Sequence, residues 1–70
     1  NLEVLAYFID QAVLEDAPEK VANLLDRTPE AASQDGRFWR YRGWLAGVRD
    51  ETSESEQAYR RCLELNPYDW

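Results

Sequence analysis

An all-α fold is predicted by three observations on this 70-residue chain. Apolar residues recur at intervals of three and four, as they do along one face of a helix. Breaks at Pro18, at Thr28 to Asp35 and around Ser53 divide these stretches into four. No apolar and polar alternation is bounded by hairpin signals, and no dipeptide of the Asn-Gly type occurs.

The first helix is expected from about residue 2 to 16, carried by Leu2, Leu5, Ile9, Ala12 and Val13 with Phe8 beside them. Asp16-Ala17-Pro18 ends it. Pro18 then suits an early position of the second helix, where its missing N–H costs nothing, and Glu19 complements the positive end of that first turn. Val21, Leu24 and Leu25 give this helix an apolar side up to about Arg27. Thr28 to Asp35 has the composition of a connection with one irregular turn. A third helix follows from about Gly36 to Arg49, where Phe38, Trp39, Tyr41, Leu45, Ala46 and Val48 occupy more than one stripe, as in a helix packed on two sides. Ser53 and Glu56 have the spacing of a capping box, so the fourth helix is expected to begin there and run to Leu65 with Tyr59, Cys62 and Leu63 facing inward.

Trp39, Gly43, Ala46, Tyr59, Cys62, Leu63, Leu65 and Pro67 are spaced so that the segment resembles one tetratricopeptide repeat, and Asn66-Pro67 is similar to the family's usual ending. Three positions depart from the pattern: Arg42 stands where the family has leucine, Ala46 where it has tyrosine, and Ser55 where it has alanine. Sliding the chain by 34 residues sets Leu5 on Trp39, Tyr7 on Tyr41, Ala12 on Ala46, Asp16 on Asp50, Leu25 on Tyr59 and Arg27 on Arg61. Val21 falls on Ser55, and Ile9 falls on Gly43, where a large residue would hold the first helix pair further apart. The resemblance implies one domain over residues 1–70, with a degenerate repeat over about 2–34 and a better one over about 36–69. Pro29 shortens the second helix of the first copy. Two antiparallel helical hairpins are then expected to stack as a fragment of a right-handed α-solenoid.

Nine aromatic residues in a 44% hydrophobic chain supply a packed core, although a domain of this size rarely gains more than about 3–5 kcal/mol without a staple. One cysteine and no histidine exclude an intramolecular disulfide and leave no soft-ligand cluster, so neither a metal nor a cofactor is expected. Cys62 reads as a small buried hydrophobe. The longest apolar runs are too short to span a membrane. Asn1-Leu2-Glu3 reads as the start of a fragment or processed chain, and Trp70 falls where a next helix would begin. A cytoplasmic location is the expectation.

Charge is uneven. The 14 acids outweigh eight basic residues for a net −6, all of it in residues 1–35, while residues 36–70 balance. This disfavours nucleic acid and anionic membranes as partners. Arg37, Arg40, Arg42 and Arg49 of the third helix could form a local anion site, or pair with acids of the first and fourth helices. Without histidine there is no Ser-His or Cys-His nucleophile, and no phosphate-cradling glycine loop occurs. Glu15-Asp16 and Glu54/Glu56 are spaced as solvated helix faces, so no catalytic residue is assigned and the chain is not expected to be an enzyme.

The resemblance implies a binding groove lined by the first helix of each repeat. Its positions in the better copy are Arg37, Arg40, Trp44, Gly47 and Val48, against Glu3, Ala6, Asp10 and Val13 in the other. Arg37, Arg40 and Trp44 are the candidate peptide-binding residues, since guanidinium groups bind carboxylates and tryptophan anchors. The set lacks the lysine and asparagine combination with which some family members clamp a C-terminal carboxylate. Trp44 could equally pack beneath a neighbouring repeat, Trp39 is a core residue between helices, and Tyr7 and Tyr41 sit at the core edge with hydroxyls to solvent. The expected function is a protein–protein interaction module for a peptide or partner segment with acidic groups. The alternatives are a spacer or cap of a longer solenoid, self-associating through an edge near Trp44 and Trp70, and an accessory region of a larger enzyme.

Overall fold

In a computed structural model the described residues are 2–65, so the expected Asn66-Pro67 ending and the edge at Trp70 lie outside them. The order is α1 (Leu2–Leu14), α2 (Pro18–Asp26), a 310 turn (Glu30–Gln34), α3 (Gly36–Val48) and α4 (Thr52–Leu65), with no strand among the described residues. The all-α expectation holds.

The period of 34 residues reappears in the backbone. Both ends of α1 and the start of α2 map by that offset onto both ends of α3 and the start of α4. Asp16 and Asp50 adopt the left-handed conformation, with φ of 54° and 60°. Beyond each, the chain folds back in the same way. Ala17 N donates to Ala12 O at 2.9 Å, and Glu51 N to Ala46 O at 2.9 Å. Asp16 N likewise donates to Val13 O, as Asp50 N does to Gly47 O. These paired bonds form the cap that stops a helix at a left-handed residue, and aspartate tolerates that conformation better than most side chains. Both helices therefore end before the positions expected from apolar spacing. Replacing Asp50 tests the cap: stability by urea unfolding should rank Gly above Asp above Ala, over a range of about 1–2 kcal/mol. An alanine variant as stable as the glycine one would contradict this geometry.

The fourth helix starts differently from its expected capping box. Ser55 N donates to Glu51 O at 2.9 Å, so Glu51 is the cap position and Ser53 lies inside the first turn. The left-handed turn at Asp50 fixes this register. Pro18 opens α2 as expected, and α2 ends with Thr28 Oγ1 donating to Leu25 O at 2.6 Å just before Pro29. At α3 it is Asp35 that caps, accepting from Arg37 N at 3.0 Å.

Ile9, Val21, Leu25, Phe38, Tyr41 and Leu45 form the centre of the core, with small residues Ala6, Ala12 and Ala32 between them. Leu2, Leu5, Val13, Ala22, Leu24 and Trp44 pack on it from outside. The helices meet in chain order: α1 on α2, α2 on α3, and most extensively α3 on α4, with a smaller contact of α1 on α3. Among the described residues α4 does not close back onto α1 or α2 beyond incidental contact.

The α3–α4 contact is built from small side chains. Gly43, Ala46, Ala58 and Cys62 are buried there. Tyr59 and Leu63, expected to face inward, are instead 41% and 38% exposed. Close helix approach selects the small i, i+4 pair Ala58 and Cys62 for the seam and moves the larger residues to its rim. Tyr59 still covers Gly43: a Cβ there would lie 2.9 Å from the ring. Ser55, a departure from the family pattern, donates from Oγ to Gly43 O at 2.9 Å across the same seam. Ile9 occupies the equivalent of Gly43 in α1, and α1 and α2 meet less extensively than α3 and α4.

Candidate functional site

Position α3 by its first turn and the placement of its arginines follows. Asp35 caps the helix and also holds Arg37, with Nη2 to Oδ2 at 2.7 Å and Nε to Oδ1 at 3.1 Å. Arg37 Nη1 reaches across to Glu3 Oε2 of α1 at 3.3 Å. The guanidinium hydrogen bond keeps the Asp35 carboxyl below its ordinary pKa, and the same bond raises that of Arg37. One turn on, Arg40 Nη2 stands 4.0 Å from Asp10 Oδ1 of α1, with its guanidinium 5.4 Å from the centre of the Tyr41 ring. Trp44, a further turn on, is half-buried and packs on the core cluster.

Arg37, Arg40 and Trp44 thus form one ridge of α3, at spacings of three and four. Two of them are engaged with acids of α1, as the pairing reading of the arginines expects, and that contact joins the two hairpins.

Tyr41 lies beneath this ridge. Its hydroxyl donates to Ala6 O at 3.4 Å and its ring meets Phe38 edge-on at 5.7 Å. Its hydroxyl does not reach solvent as expected, while its counterpart Tyr7 is exposed. Burial, with the carboxylate of Asp10 alongside, pushes the Tyr41 phenol up to about 12. The folded state therefore retains a proton that the unfolded state releases near pH 10. Stability from this group is complete below that pH and falls as pH rises from about 10 to 12, by at most about 1.4 kcal/mol per pH unit. Tyr41→Phe should flatten this part of the stability–pH curve, and an unchanged slope would refute the assignment.

The opposite side of α3 faces a groove of about 580 Å³ shared with α4. Leu45, Ala46 and Ala58 form its floor, and Arg42, Arg49 and Arg61 stand along its walls, with Glu51 and Glu54 at the turn between the helices. Trp39 closes the other end. Its indole Nε1 donates to Ser33 O of the 310 turn at 2.9 Å, and the Arg42 guanidinium lies 5.2 Å from its ring centre. Trp39 is half-buried, so it is a groove wall as well as a packing residue.

A second groove, of about 370 Å³, runs between α1 and α2. Each of its lining residues, Phe8, Gln11, Ala12 and Leu24 among them, maps by 34 positions onto a lining residue of the first. The two grooves are the same feature of two equivalent hairpins, but only the α3–α4 copy carries three arginines. The sequence places Arg42 and Arg49 in a possible anion site on the third helix, together with Arg37 and Arg40, but does not separate them onto this groove. The available signal was the spacing of Arg42 and Arg49, two turns apart on one face.

Among the described residues no group of three or more His, Cys, Asp or Glu side chains is placed to hold a metal, and no helix is long and apolar enough to cross a membrane. No protein-family model, curated protein or solved structure matches the chain.

Proposed function

We propose that the chain is a non-catalytic protein-interaction module, a fragment of a right-handed tetratricopeptide-like solenoid, that receives a partner segment in the α3–α4 groove. The observation that carries this reading is the groove of about 580 Å³, which joins an apolar floor to three arginines and the Trp39 face. Its natural occupant is a segment with an apolar anchor flanked by carboxylates, because guanidinium groups bind carboxylates in a planar, paired manner. Glu51 and Glu54 disfavour an acid at the turn end and give the segment a direction. The solenoid reading draws on the shared offset of helix ends, caps and grooves. The non-catalytic reading draws on the fact that the shifted groups Asp35, Arg37 and Tyr41 are each explained by capping and packing.

Peptides selected by display on the immobilised chain should be rich in Asp and Glu beside Leu or Phe, and should perturb the Trp39 indole signal in NMR titration. Arg42→Glu with Arg49→Glu should weaken them at least about tenfold. Arg40→Gln with Trp44→Ala should leave the affinity unchanged. The reverse pattern would move recognition to the Arg37, Arg40 and Trp44 ridge. A selection yielding no peptide that touches either surface would sink the module reading.

A second reading, a spacer or cap within a longer stack, is favoured by the apolar face that α1 leaves uncovered.

A further inference from the structure

We propose that a second copy of this chain docks head to tail, its α3–α4 outer face covering the uncovered face of α1. The inference is independent of the peptide groove and starts from a contrast between equivalent residues. Phe38 and Tyr41 of α3 are 1% and 3% exposed, because the α1–α2 hairpin lies on them. Their counterparts on α1, Val4 and Tyr7, are 51% and 59% exposed, and Phe8 beside them is 52% exposed. The internal interface therefore specifies what suits this α1 face: the flank of a helical hairpin.

The chain itself carries such a flank. Ala6 and Asp10 of α1 touch α3, the first by accepting the Tyr41 hydroxyl and the second beside Arg40. Leu25 and Asp26 of α2 share a cavity with Arg42, Leu45 and Arg49. Advancing by 34 residues converts that flank into Arg40 and Trp44 on α3 with Tyr59 and Arg60 on α4. Val13 becomes Gly47, and all of these except Arg40 and Trp44 are exposed.

Carrying the internal contacts forward by the same offset gives the register of the docked pair. The Glu3–Arg37 bridge becomes Arg37 of one copy beside Glu3 of the next, a third carboxylate for an arginine already held by its own Asp35 and Glu3. Asp26 facing Arg42 and Arg49 becomes Arg60 facing Phe8 and Glu15, a cation on an aromatic ring and an opposite charge. Leu25 against Leu45 becomes Tyr59 against Gln11. The Tyr41 hydroxyl on Ala6 O becomes the Tyr7 hydroxyl on Arg40 O. These two charge pairs exchange sides and remain complementary, whereas Arg40–Asp10 becomes Ala6 beside Trp44, an apolar contact, and Ala22 becomes Glu56 on the side of Glu15. The retained charge complementarity favours a second copy over an unrelated hairpin. Because the two faces differ, the contact is heterologous and leaves a free head and a free tail for growth.

Sedimentation equilibrium of the 70-residue chain tests this. The average mass should climb past that of a dimer between micromolar and millimolar concentration. Phe8→Asp on the head and Gly47→Glu on the tail should each weaken association at least about tenfold while helicity by circular dichroism persists. Gly47 has room for a side chain, its nearest neighbour being Ser55 Oγ at 3.6 Å, and glutamate is the better helix former. Mixing the two variants should give a one-to-one heterodimer that grows no further, since one open head then meets one open tail. A charge exchange supplies a second arm: Glu15→Arg and Arg60→Glu should each weaken association alone and restore it when mixed. A wild-type chain that stays monomeric at millimolar concentration overturns the proposal. So do blocked variants that still associate, or a mixture that fails to pair.

Discussion

Phe38→Ala is expected to leave most of the chain unfolded at 25 °C, with helical circular dichroism lost and no native baseline in a urea titration. Phe38 is among the largest fully buried side chains, together with Ile9 and Val21. Truncating such a phenylalanine removes about 3–5 kcal/mol, from the lost transfer of the ring and the cavity it leaves. A single core of this size supplies about the same amount in total. The edge-on contact with Tyr41 would be lost as well, and with it part of the packing that holds the Tyr41 hydroxyl over Ala6. Phe8→Ala makes the same chemical change on the exposed α1 face and should shift stability by no more than about 0.5 kcal/mol in the monomer. If the two variants melted alike, the inequality between the two hairpin faces would be disproved.

Gly43→Leu should lower stability by about 1–3 kcal/mol by forcing α3 and α4 apart. The first added carbon already meets the Tyr59 ring at 2.9 Å, and a branched side chain would extend further into that contact. Gly43→Ala is the more informative change. Alanine gains about 1 kcal/mol in helix propensity, which displacing the half-exposed Tyr59 ring offsets. Once Tyr59 is itself alanine, Gly43→Ala should become stabilising by about 1 kcal/mol. A double-mutant cycle by urea unfolding reads this coupling directly. Strict additivity of the two substitutions would mean that the ring does not set the helix spacing.

Much of this architecture was legible in the chain. The pairing of Asp16 with Asp50 by a 34-residue slide marks the two left-handed caps, and Gly43 marks the close helix crossing. Pro29 marks the early end of α2. Local chemistry dictates each of these: a residue type tolerates a conformation, a contact or a missing donor, and neighbours matter little.

The misread positions depend on what lies across an interface. Tyr7 and Tyr41 look alike in sequence, yet only one has a hairpin above it. On α4, hydrophobicity alone favours Tyr59 and Leu63 as core, whereas the narrow gap beside Gly43 selects Ala58 and Cys62. The Ser53–Glu56 spacing satisfies a capping rule, but the preceding turn had already fixed where the helix begins. For the candidate trio, the sequence left pairing with acids of the first helix and an open anion site as alternatives, and only the placement of α1 beside α3 brings Arg37 to Glu3 and Arg40 to Asp10.

Because contacts run chiefly in chain order, α3 is the main mechanical bridge between α1–α2 and α4 among the described residues. A chain linked only through nearest neighbours melts in steps from its termini. Detaching α4 uncovers just two of its own buried side chains, Ala58 and Cys62. Losing α3 removes the lid from Ile9 and Val21 and severs α4 in the same event. Amide hydrogens of α3 should accordingly exchange slowest of all, and those of α4 should exchange early, through an opening that leaves the first three helices intact.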